Sequence, residues 1–315
     1  LNLFYMRAFV ISVTIKGFKK DKNMKINARC PHFMLSRVHY EAVLSTDDEQ
    51  LIHKTVMAGI DVLNRKYKPD IPAGYLSTAM HRKAYEVLGD VDPYLKLKQI
   101  SNKVANEVLP IAKKLIYEGE PEDGEIFSRA VLASVIGNYF DFGVMGFDVA
   151  PDAFDETFTE LFKRGLDVDD TPQMLDMLDD VVYIVDNCGE ILLDTLVFDI
   201  IKKMGGNITL VVRGAPILND VTMDDVHEFE IDKMVVRVLT TGSHAIGVCF
   251  DEAPKELMEA FENASLIMSK GMANYETLSE RNFGPIAYLL RTKCESVAKD
   301  MGLEVGYSVA KLVNV

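Results

Sequence analysis

Asp186-Asn187-Cys188-Gly189-Glu190 stands directly after the β-branched run Val181-Val182-Tyr183-Ile184-Val185. A carboxylate beside an amide oxygen offers the hard donors that magnesium, manganese and similar ions take. Gly189 permits a turn, and a helix starting beyond it offers free N–H groups to a phosphate. The pattern equally suits Asp186 and Asn187 as plain caps of that helix. Asp220 lies in Ala215-Pro216-Ile217-Leu218-Asn219-Asp220-Val221-Thr222, after a second apolar run at 208–212 that ends near Arg213. If the two runs are neighbouring strands, Asp220 is a third oxygen ligand; otherwise it caps a helix, with Thr222 and Asp225 as weaker candidates.

Positive charge stands at two further strand ends. Ser269-Lys270-Gly271-Met272-Ala273-Asn274-Tyr275-Glu276-Thr277 follows an apolar run at 266–269. Lys270 puts a point charge there, suited to phosphate, and Asn274 and Glu276 add polar groups for a substrate. A run at 286–290 ends in Arg291-Thr292-Lys293-Cys294. Asn138 and Asp141 interrupt the apolar stretch 130–144 and share one face if it is helical. Buried polar groups need partners, from backbone or from a site across the fold. Cys188 is a candidate nucleophile at a helix N-terminus, but no histidine follows nearby to serve as its base. The chain has no G-x-x-x-x-G-K-[ST] loop, no G-x-G-x-x-G after a strand, no G-x-S-x-G elbow and no zinc spacing among its six histidines.

The elements that must position these residues change type along the chain. From about 30 to 165 the pattern is helical, with apolar Ile52, Val56, Ile60 and Leu63 after a capping box Thr46-Asp47-Asp48-Glu49. Further helical stretches cover 74–88, 96–117 and 124–141. Thr171-Pro172 opens a short helix. Then unalternating β-branched runs at 181–185, 208–212 and 234–239 mark strands buried on both faces. A helix from Glu190 to Met204 lies between the first two and stops at Gly205-Gly206. More strands are expected at 266–269, 286–290 and 307–312. Alternating strands and helices imply a mostly parallel sheet in a three-layer, Rossmann-like α/β/α arrangement, whose ligands bind at the carboxyl ends of the strands. The expected division is an extension over 1–23, a helical region over 24–168 and an α/β metal-binding catalytic domain over 169–315. Met24 is the expected natural start, because Lys16, Lys19, Lys20 and Lys22 replace a cleavage site after the apolar stretch at 8–15.

The chain has 315 residues and a net charge of -14, which argues against nucleic acid as a partner. An anionic ligand therefore needs a local cation. Four scattered cysteines make no disulfide framework and suit a reducing cytoplasm. No apolar run reaches the ~20 residues of a membrane span.

Together, Asp-Asn-x-Gly-Glu after a strand, Pro-x-x-Asn-Asp-Val-Thr and Lys-Gly-x-x-Asn-Tyr-Glu-Thr resemble the DUF89 family, also called the damage-control phosphatases or the ARMT1-like metal-binding fold. Asp92-Pro93-Tyr94, Lys98 and the Gly137-Asn138…Asp141 stretch resemble its archaeal-type branch. The resemblance covers nearly everything from Met24 onward. It implies a divalent metal (Mn2+, Co2+, Ni2+ or Mg2+) held by Asp186, Asn187 and Asp220. It implies hydrolysis of small phosphorylated metabolites, with Lys293 on the substrate phosphate and Glu190, Asn274 and Glu276 at other site positions. Two departures stand out: Phe33 stands where relatives often carry a second cysteine, and Cys188 stands where Ala or Ser is common. The competing expectations are a methyltransferase using S-adenosylmethionine and a non-enzymatic sensor of phosphometabolites.

Overall fold

The computed structural model describes residues 26–69, 71–138 and 154–314; Asp141, the extension over 1–23 and Met24 lie outside them. Helices α1 (Cys30–Ser45), α2 (Glu49–Lys66) and α3 (Ala73–Leu88) come first. They close on a small core of Met34, Val38, Leu76, Met80 and Ala84 that also takes in Ile217. Thr46 does not open α2. It ends α1, giving its N–H to Ala42 O, and Asp48 caps α2 instead by accepting from Gln50 N at 2.9 Å. Helices α4 (Leu95–Tyr117), α5 (Asp123–Gly137) and α6 (Phe154–Arg164) follow. The helix expected over 124–141 ends at Gly137, with Asn138 as its C-cap.

The remaining elements alternate: β1 (Val168–Asp169), α7 (Thr171–Met174), β2 (Asp180–Ile184), α8 (Glu190–Lys203), β3 (Asn207–Val212), α9 (Met223–Glu228), β4 (Arg237–Thr240), α10 (Lys255–Asn263), β5 (Leu266–Lys270), α11 (Gly271–Leu278), β6 (Ile286–Arg291), α12 (Glu295–Met301) and β7 (Ser308–Val313). The expected strand start at Met234 moves to Arg237, because Ile231–Met234 closes a 3-10 turn. The strands form one sheet in the order β1-β7-β6-β5-β2-β3-β4. Among the described strands, only the pairing of β7 with β6 is antiparallel.

The unalternating runs are explained by burial on two faces. Val181, Tyr183, Val185, Leu210 and Met268 face α4, α5 and α8. Val182, Ile184, Val211, Ile267 and Tyr288 face α10, α11 and α12. Period-two alternation is therefore present, with apolar residues on both sides. The first of these cores joins α4 and α5 to the sheet, so it runs unbroken past residue 168. Among the described residues, no helix is long and apolar enough to cross a membrane.

The strand order places the chemistry. From β2 the chain moves outward through β3 to β4, while β5 lies on the other side of β2. Helix connections therefore leave the two strands in opposite directions, and a crevice opens where β2 and β5 end.

Candidate active site

Gly189 and Gly271 make the crevice possible. Gly189 has φ 78°, and a Cβ there would lie 2.8 Å from Ser101 O of α4. Its N–H donates to Asn102 Oδ1 at 2.6 Å. Gly271, at φ +73°, is packed under Asp186: a Cβ would lie 1.8 Å from Asp186 Oδ2. The loop after β3 is laced to the end of β2 by backbone. Val221 N donates to Asp186 O, Cys188 N donates to Asn219 O, and Asn187 and Asp220 form an antiparallel bridge. That lacing brings Asp186, Asn187 and Asp220 into one cluster although they lie far apart in the sequence.

Asp186 is buried. Its Oδ2 accepts from Asn138 Nδ2 at 3.2 Å and from Asn187 Nδ2 at 3.0 Å. Its Oδ1 has no hydrogen bond among the described residues. Both amides also reach Glu190 Oε2, at 3.0 Å from Asn138 and 2.8 Å from Asn187. Burial first, then the neighbouring charges of Asp220 and Glu190, push the Asp186 carboxyl well above its ordinary range; Arg213 and Lys293 oppose them. The crevice is thus short of positive charge. Half-buried Lys293 acts on Asp186 through its charge from the end of β6. Asn274 Nδ2 ties the two lips together, donating to Val185 O at 3.0 Å and Lys270 O at 2.8 Å.

Several expectations change in three dimensions. Lys270 does not reach out to a phosphate. It is fully buried, with Nζ 2.7 Å from both Glu190 Oε1 and Asp194 Oδ1, and it donates to Ser134 O and Oγ at 2.9 and 2.6 Å. An ammonium has three hydrogens, so nothing is left for a ligand. Three amides around the start of α8 bond within the chain: Gly189 N to Asn102 Oδ1, Ile191 N to Asn187 O and Leu192 N to Gly189 O. Burial and Asp225 push the Cys188 thiol well up, which keeps it protonated and poorly nucleophilic. Glu276 stands apart from the acids. It lines a cavity of about 450 Å³ between α3 and α11, with Tyr75, Arg82, Phe250 and Glu252. Burial and then Glu280 raise its carboxyl to about 7. Asp141 is outside the described residues.

Four supports were assigned no role from the sequence. Asp194 stands four residues after Glu190 on the buried helix α8, a spacing that signals a shared face. Ser134 donates to Asp194 at 2.6 Å from α5. Arg213 closes β3 and donates from Nε to Asp220 Oδ2 at 2.5 Å. Lys98, buried on α4, pairs with Asp92 at 3.0 Å and adds charge behind Cys188.

The residues fit a hard cation. The donors are oxygens, the buried Asp186 Oδ1 is left without a hydrogen bond among the described residues, and acids outnumber the cations that touch them. Among the described residues no set of three or more His, Cys, Asp or Glu side chains converges on a metal position.

The chain is thus a mostly parallel α/β protein with buried acids where β2 and β5 end. Residues 26–309 match the family model of the damage-control phosphatase ARMT1-like domain, and the chain belongs to that family. A damage-control phosphatase of Archaeoglobus fulgidus is 44% identical over 92% of this chain and all of its own length. An uncharacterized protein of Methanocaldococcus jannaschii is 32% identical over 91% of this chain and 95% of its own. The crystal structure of a DUF89 family protein from Pyrococcus horikoshii superposes with a TM-score of 0.82 at 27% identity, covering 91% of this chain and 99% of that one. The family resemblance and the α/β fold expected from the sequence are both borne out.

Proposed function

We propose that this chain is a divalent-metal-dependent phosphatase of small phosphorylated metabolites, working at the crevice between β2 and β5. Asp186, Asn187 and Asp220 would hold the metal, one of Mn2+, Co2+, Ni2+ or Mg2+. When bound, it supplies neutralisation of phosphate charge and a more acidic water. The chain's own groups do the rest. Lys293 supplies the positive charge on the β6 lip for the transferring phosphate. Asn138 and Asn187 fix Asp186 and Glu190 against each other through shared amide hydrogens. Glu190 is thereby a positioned carboxylate beside the reacting group, and Asn274 keeps the two lips at a fixed separation. We place the activity in the cytoplasm, where Cys30, Cys188, Cys249 and Cys294 stay free thiols.

The observation that carries this reading is the bare Asp186 Oδ1, buried beside Asp220 in a family of phosphatases. The test is released phosphate from a panel of phosphorylated metabolites, with each metal in turn. Asp186→Ala is expected to abolish release while far-ultraviolet dichroism stays native. Full activity in that variant would reject the site, and tight binding without turnover in the wild type would favour the sensor.

A further inference from the structure

Arg213 is a buried cation in a crevice that needs an external one. Its backbone is pinned to the metal loop: Arg213 N donates to Val221 O at 2.9 Å, and Arg213 and Thr222 form a parallel bridge. Its guanidinium is pinned as well. Nη1 donates to Gly247 O at 2.8 Å, and Nε donates to Asp220 Oδ2 at 2.5 Å. The third nitrogen, Nη2, is buried without a hydrogen bond among the described residues. It faces Asp186 Oδ1 at 3.8 Å, the same oxygen that has no hydrogen bond of its own.

Such a gap is too long for a hydrogen bond and short enough for strong attraction. Neither partner is free to close it. Asp186 is held through Oδ2 by Asn138 and Asn187, and Arg213 is held through Nη1 by the 247 carbonyl. One rigid fork thus spans both acidic members of the donor set. It leaves an oxygen of Asp186 uncommitted.

We infer that Arg213 is a positioning residue acting as the resident counter-cation of the site. It holds Asp220 and screens Asp186 while the site has no metal, and its charge opposes the metal once the metal is there. This rests on the metal reading above. The consequence is a site that stays assembled when empty and holds its ion loosely enough to exchange it. A neutral residue at 213 would reverse both properties.

The test uses metal-stripped wild type, Arg213→Gln and Arg213→Lys, with Mn2+ alone as the probe. Two quantities are read: the thermal midpoint without metal, and the Mn2+ affinity by calorimetry. Arg213→Gln is expected to melt lower without metal yet bind Mn2+ about tenfold more tightly, a change of ~1.4 kcal/mol. Arg213→Lys keeps the charge but loses the fork, so its affinity is expected to lie nearer to wild type than that of the glutamine variant. A purely structural arginine would instead loosen Mn2+ in the glutamine variant, and equal or weaker binding there overturns the inference. A wild type that binds no Mn2+ rejects the metal reading itself. If Arg213→Gln does not fold, Asp220→Asn decides. Loss of the arginine's partner should lower its metal-free midpoint, whereas a raised midpoint, the mark of unopposed carboxylate repulsion, overturns the inference.

Discussion

The ammonium of Lys270 sits among Glu190, Asp194 and two oxygens of Ser134, and each acceptor belongs to an element that lines the crevice. Lys270→Met leaves two buried carboxylates facing each other. Removing one partner of a buried ion pair costs about 3–5 kcal/mol, and chemical denaturation should read that loss. The same variant should lower kcat more than it raises KM, because Glu190 loses its aim while no substrate contact is removed. Glu276 gives a pH test. Its carboxyl titrates near 7 rather than 4.5, so between those values the folded chain holds a proton that the unfolded chain has released. Stability therefore falls as pH rises through that window. Arg82, Glu252, Glu280 and Arg281 line the same cavity. Glu276→Gln should melt close to wild type near pH 4.5 and above it near pH 8, by on the order of 1–2 kcal/mol after discounting for solvent screening. At this scale Asp186 and Asn187 were legible because they stand just beyond a buried strand, while Asp220 reaches them only through the loop that returns from β3 to β2. It could not show which side of its layer Lys270 faces, and the same position at a strand end suits a ligand contact and a buried brace alike. Arg213 was silent because its partners, Asp220 and the carbonyl of Gly247, are set by the loop's path back to β2.

The junction from β5 to α11 carries the sharpest steric constraint in the crevice. Gly271→Ala combines a left-handed backbone, which costs about 1–2 kcal/mol for a side-chain residue, with a methyl group inside the Asp186 carboxylate. The expected outcome is a folded, destabilised protein that releases no phosphate, with a crystal structure showing Asp186 displaced. An unmoved Asp186 with full turnover would contradict the packing. Strands β2, β3, β5 and β6 were legible because burial on both faces writes an apolar run. Strand β1 has two residues and no pattern, and it exists because Val168 and Asp169 pair with β7. Helices α10 and α12 are nine and seven residues long, too short for periodicity to outline their ends. The start of β4 was misplaced because an apolar residue, Met234, completes a turn ahead of the strand.

Over the whole molecule, a ligand that binds only the folded chain raises its melting point. At a hundredfold excess over its dissociation constant the gain is ~2.7 kcal/mol, several degrees for a chain of this size. Scanning calorimetry in Mn2+ against a chelator should show that shift, and coincident transitions would remove the case for a metal centre. The order of the strands bears on how the chain is made. Strand β2 has β3 on one side and β5 on the other, and β5 is synthesised long after both. While residues 266–270 are still inside the ribosome, β2 is an open edge with apolar side chains on both faces. Asp186 then also lacks the Gly271 wall and the Lys270 brace beneath Glu190. If β2 and β3 pair before β5 emerges, the nascent protein carries an adhesive strand and an acidic corner that stay uncovered until β5 inserts.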